Sequence, residues 1–410
     1  MFPTPRTRRT SRSDLVPLGG LLTMIMMAVS TTQYGLGALA PALRADLSLT
    51  NSQFGLVNSV FFLSVAGFSV IVPKALAHLR ERTAIVAVSM LTAGGVGLAV
   101  MAVNAWWVVP GLVVAAVATA AANPITNRAS LTAGTARELL IAVKQSGVAI
   151  STIVCGAVLP PLAVLANWRL ALVAYAVGVS AVPLVLLRWA TGSRSPVLAA
   201  RPAASPVRYS IPQVVVYALL MGAGSATVTT YLASYAHAEL ATDAVVAGLV
   251  LSCVGIGAVA GRFLWGGLAV RSVRRGGHLQ HQLAVMALIA VVATAGLIAS
   301  TRVGVALAAV CALAIGLSAS SWNPLAMMIS TASGDPERTM RTSGLVMFGF
   351  FAGLAVGPAG YGVLVDNFGY TVGWSATLLL FGCAGVAMLY RRRAPDALFG
   401  TREPVESATR

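Results

Sequence analysis

The sequence predicts an all-α membrane protein: twelve transmembrane helices in two pseudo-symmetric six-helix bundles. Three observations predict it. The 410 residues are 57% hydrophobic and only 10% charged, with a mean hydropathy of +0.83, a composition outside that of ordinary water-soluble domains. The apolar residues gather into twelve runs, each near the ~20 residues a helix needs to cross a bilayer core. The basic residues sort to one side of those runs.

The spans are read at 17–41, 52–73, 83–104, 107–130, 139–163, 168–190, 211–238, 245–270, 282–300, 303–330, 342–365 and 370–390. With the N-terminus in the cytoplasm, twenty-four of the twenty-eight Lys and Arg residues fall inside. Arg44, Arg169 and Arg302 fall outside, and Arg262 lies within a span. This positive-inside bias predicts a multi-pass protein of the cell membrane with both termini cytoplasmic. The net charge of +16 is therefore a topology signal and no nucleic-acid footprint. The first apolar run is span-length and lacks a signal-peptidase site, so it is expected to remain as a helix.

The segment Thr191–Ser210 is rich in Pro, Ser and Arg and reads as a cytoplasmic linker. It divides the chain into an N-terminal bundle (1–190) and a C-terminal bundle (211–410). The halves echo each other. Asn123-Pro124 and Gly134 recur 200 residues on as Asn323-Pro324 and Gly334. Ser146-Gly147 recurs as Ser343-Gly344 at offset 197, and Thr31-Thr32 as Thr229-Thr230 at offset 198. A repeated half around a central site is a secondary-transporter design.

These features resemble the major facilitator superfamily over the whole chain. The family's loop signature, Gly-x-Leu-Ala-Asp-Arg-x-Gly-Arg, is matched by Gly266-Gly267-Leu268-Ala269-Val270-Arg271 after span eight, with valine in place of the acid. The copy after span two, Lys74-Ala75-Leu76-Ala77-His78-Leu79-Arg80-Glu81-Arg82, is degenerate. The resemblance implies a cytoplasmic gate at Lys74, Arg82, Gly267 and Arg271. The acid that helps hold that gate closed is missing from both copies, with Glu81 as a possible substitute.

Arg262 is the one arginine deep inside a span. It stands eight residues, or about 12 Å, from the inner end of the run Ala247–Val270. A charge there costs roughly 2.5–3.5 kcal/mol on insertion scales and usually meets a partner in a protein interior or aqueous cavity. Gly255, Val259 and Gly266 share its helical face, so small neighbours are expected to leave it room. Nitrate/nitrite and monocarboxylate/oxalate porters of the superfamily carry an arginine in this stretch, where it binds the anion; the resemblance implies that role for Arg262. The alternative is a structural arginine tied to backbone carbonyls. The second arginine of nitrate porters is replaced by Val70, which disfavours nitrate.

Lys144, about 8 Å into span five, reads either as a second substrate contact or as a lysine snorkelling to the headgroups. Polar residues gather in spans one, four, seven and ten, which line the cavity in the superfamily fold. Of these, Gln33, Tyr34, Asn123, Tyr231, Trp322 and Asn323 are the candidate contacts. In the eleventh span, Gly353-x-x-x-Gly357-Pro358 permits close helix approach.

The function read from this is a secondary transporter moving a small organic anion by alternating access. The alternative is an exporter of hydrophobic or cationic compounds, but a cation site calls for a membrane-embedded acid and all twelve acids lie in loops, tails or span ends. The drug antiporters' Gly-Pro signature is also absent from span five. A non-transporting receptor would call for sizeable soluble segments. No enzyme site, metal-ligand spacing or cofactor motif is present, and Cys155, Cys253, Cys311 and Cys383 read as packing residues. The expected partners are a small anionic solute and the lipid bilayer, with the carrier a monomer. The lack of a buried carboxylate predicts facilitated diffusion or anion exchange.

Overall fold

The computed structural model describes residues 12–76, 79–130, 137–190, 210–331 and 336–390. The linker 191–209, His78, Gly134, Gly334 and both tails lie outside them. The described residues form thirteen helices and no strand: α1 (Arg12–Ala38), α2 (Ala40–Asp46), α3 (Asn51–Leu76), α4 (Glu81–Val100), α5 (Ala105–Ser130), α6 (Arg137–Leu165), α7 (Trp168–Ala190), α8 (Ile211–Glu239), α9 (Ala244–Arg274), α10 (Leu279–Val303), α11 (Val305–Ser318), α12 (Asn323–Thr331) and α13 (Pro336–Leu389).

Eleven apolar helical stretches are long enough to cross a membrane. The last, Arg341–Leu389, contains 49 residues and is two spans joined at Gly369. Gly369 has φ 81° and ψ 171°, a region that side chains other than glycine's rarely enter, so the chain reverses there without a loop. The count of twelve follows. Two spans differ from the expected continuous helices. Span one ends at Ala38, and the short α2 follows with Pro41 in its first turn. Span ten is broken between Ser318 and Asn323.

Small residues set the packing. In lipid, helices associate through close backbone contact more than through hydrophobic burial. Gly349, Gly353 and Gly357 of α13 lie against the carbonyls of Val215, Leu219 and Ala223 on α8, so the expected glycine stripe does bring two helices together. Gly95 and Gly111 pair α4 with α5, and Gly257, Gly261 and Gly316 pair α9 with α11. Helix α8 is buried on every face from Met221 to Ala236 and stands at the centre of the molecule. Most span hydroxyls bond their own helix: Thr23 to Gly19 O, Ser30 to Met26 O, Thr227 to Ala223 O and Thr294 to Ala290 O. Their role is satisfaction of a polar group in an apolar medium.

The end of the molecule where α7 stops and α8 begins is called the linker end here, and the opposite end the far end. The two halves meet toward the far end. Between described residues, their hydrogen bonds run from Ser252 Oγ donating to Ile153 O (2.8 Å), near mid-span, out to Asn51, Ser52 and Asp366 at the far face. Gly37 against Thr229, Gly55 against Pro358 and Gly156 against Gly248 are backbone-to-backbone approaches of the same seam.

Candidate substrate site

Helix α9 is wedged between two neighbours, and its glycines show how. Gly257 and Gly261 receive the backbone of α11, whereas Gly248 and Gly255 receive that of α6. Arg262 lies two turns beyond Gly255 on the α6-facing side. The expectation that Gly255 leaves the guanidinium room is not met: the space is taken by Ile153 and Ala149. Gly266, one turn past Arg262, does face open space.

The Arg262 side chain is half-buried. Its Nη1 is inaccessible to solvent and has no hydrogen-bond partner. The reading of a structural arginine tied to neighbouring carbonyls is therefore unsupported by any hydrogen bond among the described residues. Nor does an acid among those residues form an ion pair with it; the Arg169–Asp46 ion pair lies at the far end. Tyr34 of α1 lies in electrostatic reach of Arg262, and its hydroxyl lies beside Thr152 and Cys155 of α6. Arg262 and Tyr34 are thus electrostatic neighbours from the eighth and first spans.

Next to Arg262 the break in span ten is held by side chains. Trp265 Nε1 donates to Leu317 O (2.8 Å), Ser225 Oγ to Ala319 O (2.8 Å), and Ser321 Oγ to Gly316 O (2.9 Å). Broken helices at membrane depth are tolerated where the freed carbonyls find such partners. Asn323 opens the second piece, and its Oδ1 is buried without a partner. Trp322, a candidate contact, is instead fully buried edge-on against Tyr217 and Phe350. The sequence cannot foresee this, since an apolar aromatic in a span reads the same in a cavity wall as in a core.

Lys144 has no exposed surface. Its three ammonium protons meet three oxygens of α5: Asn127 Oδ1 (2.6 Å), Thr126 Oγ1 (2.8 Å) and Asn123 Oδ1 (3.4 Å). Snorkelling is ruled out by this geometry, because the stem points into the helix bundle. Asn123 also accepts from Gln145 Nε2 (3.1 Å), so this candidate contact is tied to span five. Gln145 and Thr126 are the residues that sequence reasoning did not bring into this cluster. Their one signal was the adjacency of Gln145 to Lys144.

Tyr231 is drawn into the far-end seam. Its hydroxyl lies 2.6 Å from Asn51 O and 3.1 Å from Pro358 O, and its ring packs on Phe54 and Tyr361. Gln33 is half-buried near the α1–α8 contact. Of the gate residues, Arg82, Gly267 and Arg271 are exposed at the linker end; Lys74 lies in α3. The structure thus places Tyr34 within electrostatic reach of Arg262, groups Lys144 with Asn123, and draws Tyr231 and Trp322 into packing elsewhere.

A twelve-span helical protein with a broken span and an intramembrane cation has the build of a secondary transporter. The chain belongs to the Major Facilitator Superfamily, whose profile matches residues 21–333. Solved structures agree in fold. A bacterial homologue of the human lysosomal transporter Spinster, inward-facing and unoccupied, superimposes with a TM-score of 0.75 at 15% identity, over 92% of this chain and 97% of that one. A nucleoside transporter gives 0.69 at 11% identity (92% and 99% covered), and a peptide transporter 0.72 at 13% (92% and 93%). No curated protein sequence matches the chain.

Proposed function

We propose that this transporter carries a small organic anion by alternating access, with Arg262 as the anion's anchor and Tyr34 as its neighbour. The observation that carries the reading is the unpaired guanidinium. A buried charge without a partner is costly, and an oxyanion offers the planar guanidinium two parallel acceptors. The far-end closure leaves the site to be reached from the linker end, which the positive-inside bias assigns to the cytoplasm. Lys144 contributes at one remove: its charge adds to the positive potential of the region while its protons stay on α5. Asn323 is the second polar contact: its buried, free Oδ1 is an acceptor and suits a hydroxyl or N–H group of the substrate, not its oxyanion. An empty Arg262 is harder to enclose than an anion-paired one, so the loaded carrier should reorient faster than the empty one, which favours exchange.

The test is a thermal-shift screen of purified protein against organic anions, repeated on Arg262→Ala and Arg262→Lys. A specific ligand at a hundred times its Kd stabilises by about 2.7 kcal/mol. The wild type should respond to a carboxylate, the alanine variant should not, and lysine should recover little because it lacks the planar fork. In proteoliposomes, internal anion should speed uptake of labelled anion. An alanine variant that keeps both the ligand response and transport would move the site elsewhere.

A further inference from the structure

The far-end seam contains one acid that joins the two halves. Asp366, at the end of the eleventh span, faces the first turn of α3, where backbone N–H groups have no partner within the helix. Its Oδ1 accepts from Asn51 N (3.0 Å) and Asn51 Nδ2 (2.9 Å), and its Oδ2 from Ser52 N (2.7 Å) and the Ser52 hydroxyl. Four donors of one half therefore converge on one carboxylate of the other, at a helix N-terminus whose dipole favours negative charge. Around it, Tyr370 Oη donates to Asn51 Oδ1 (3.3 Å) and accepts from Arg44 Nη1 (3.4 Å), while Ala359 N donates to Ser59 Oγ (3.2 Å). These second contacts are longer, so the carboxylate is the centre of the cluster.

We propose that Asp366 is the latch of the far-end gate, a positioning residue that holds the seam shut by capping the second span across the two halves. At the linker end, the loop signature that would supply an acid has Val270 in its place. The charge that biases closure thus sits at the far end, and the resting carrier favours the far-end-closed state. Removing the charge should release that bias without disturbing the Arg262 site, which lies deeper and on other helices. The inference rests on alternating access and not on the identity of the substrate.

Spin labels at Ala166→Cys and Val303→Cys, exposed positions at the far ends of the two halves, report the seam when the four native cysteines are replaced. With no substrate present, the distance distribution should show one short population. Asp366→Asn should raise the longer, open population relative to the closed one by roughly tenfold, about 1.4 kcal/mol. Ser52→Ala, which removes one donor and leaves the carboxylate, should shift it less but in the same direction, and it serves if Asp366→Asn fails to fold. Unchanged distances in the foldable variants would overturn the latch. Loss of the anion response in the thermal screen would not, so the two readings fail separately.

Discussion

Gly255→Ala asks whether the α6–α9 contact is a working seam or a fixed part of the core. A methyl group at this position would stand 2.6 Å from Ile153 Cγ1, 2.7 Å from Ile153 N and 2.8 Å from Ala149 O. Ordinary contact begins at 3.4 Å, so the two helices must part by 0.6–0.8 Å. Overpacking of this kind costs about 1–3 kcal/mol. The contact joins the two halves, and the proposed alternating-access cycle would break it in every turn. The cost should therefore fall on the far-end-closed state alone, shifting the closed-to-open ratio by roughly 5- to 150-fold with little loss of thermal stability. Gly261→Ala on the same helix is the counterpart. Its methyl would meet Leu317 O, Ser321 Oγ and, at 2.8 Å, Ser321 Cβ, within one half, so no conformation relieves it and the midpoint of unfolding should fall. Gly266→Ala meets nothing within 4 Å and should leave both readouts alone. Scanning fluorimetry together with the Ala166–Val303 distance distribution distinguishes the three. If Gly255→Ala lowers the unfolding midpoint as far as Gly261→Ala and leaves the distance unchanged, the seam is not a moving part.

Two further outcomes follow from the charged groups. Lys144→Met should fold with a stability change within about 1 kcal/mol, because relief of a buried charge offsets the lost hydrogen bonds, and KM should rise only modestly, as a remote positive charge is lost; a large rise in KM would make the amine a direct substrate contact. Asp46, outside the spans, is held below the usual carboxylate range chiefly by the Trp168 indole (3.0 Å) and then by Arg169. Its folded pKa is depressed, so its stabilisation is present above the ordinary carboxylate pKa near 4 and is lost as pH falls through the lower folded value. Asp46→Asn should thus be less stable than wild type at pH 7, by up to about 1 kcal/mol for so exposed a pair. The two unfolding curves should converge in acid, and a difference that persists or grows there would refute the assignment.

The span pattern was legible because bilayer thickness fixes run length and lipid forbids unpaired backbone. The glycine stripe of the eleventh span was legible for a related reason: small residues at four-residue spacing have one obvious use. Arg262 stood out because a charge at that depth is expensive, and the structure leaves it unpaired. Lys144 did not resolve, since a lysine about two turns inside a span can reach water or turn inward, and its three oxygen partners on α5 decide between them. Tyr231 was misread as a cavity residue because its polarity and its span were visible but its partners, Asn51 and Pro358, were not. The Asp366 cluster was invisible for the same reason. An acid at a span end is common, and only the tertiary arrangement places the start of another helix against it.

The break in span ten bears on how the protein is made. A helix of 14 residues, Val305–Ser318, is about 21 Å long, short of the ~30 Å hydrocarbon core. The span is completed past the break by residues up to Ser330, and the carbonyls freed at the break, Leu317 O and Ala319 O, need partners from outside the helix. The groups that receive them, Trp265 and Ser225, belong to helices that leave the ribosome earlier. The broken form of the tenth span is therefore a tertiary product: it forms only when spans seven and eight are already in place beside it.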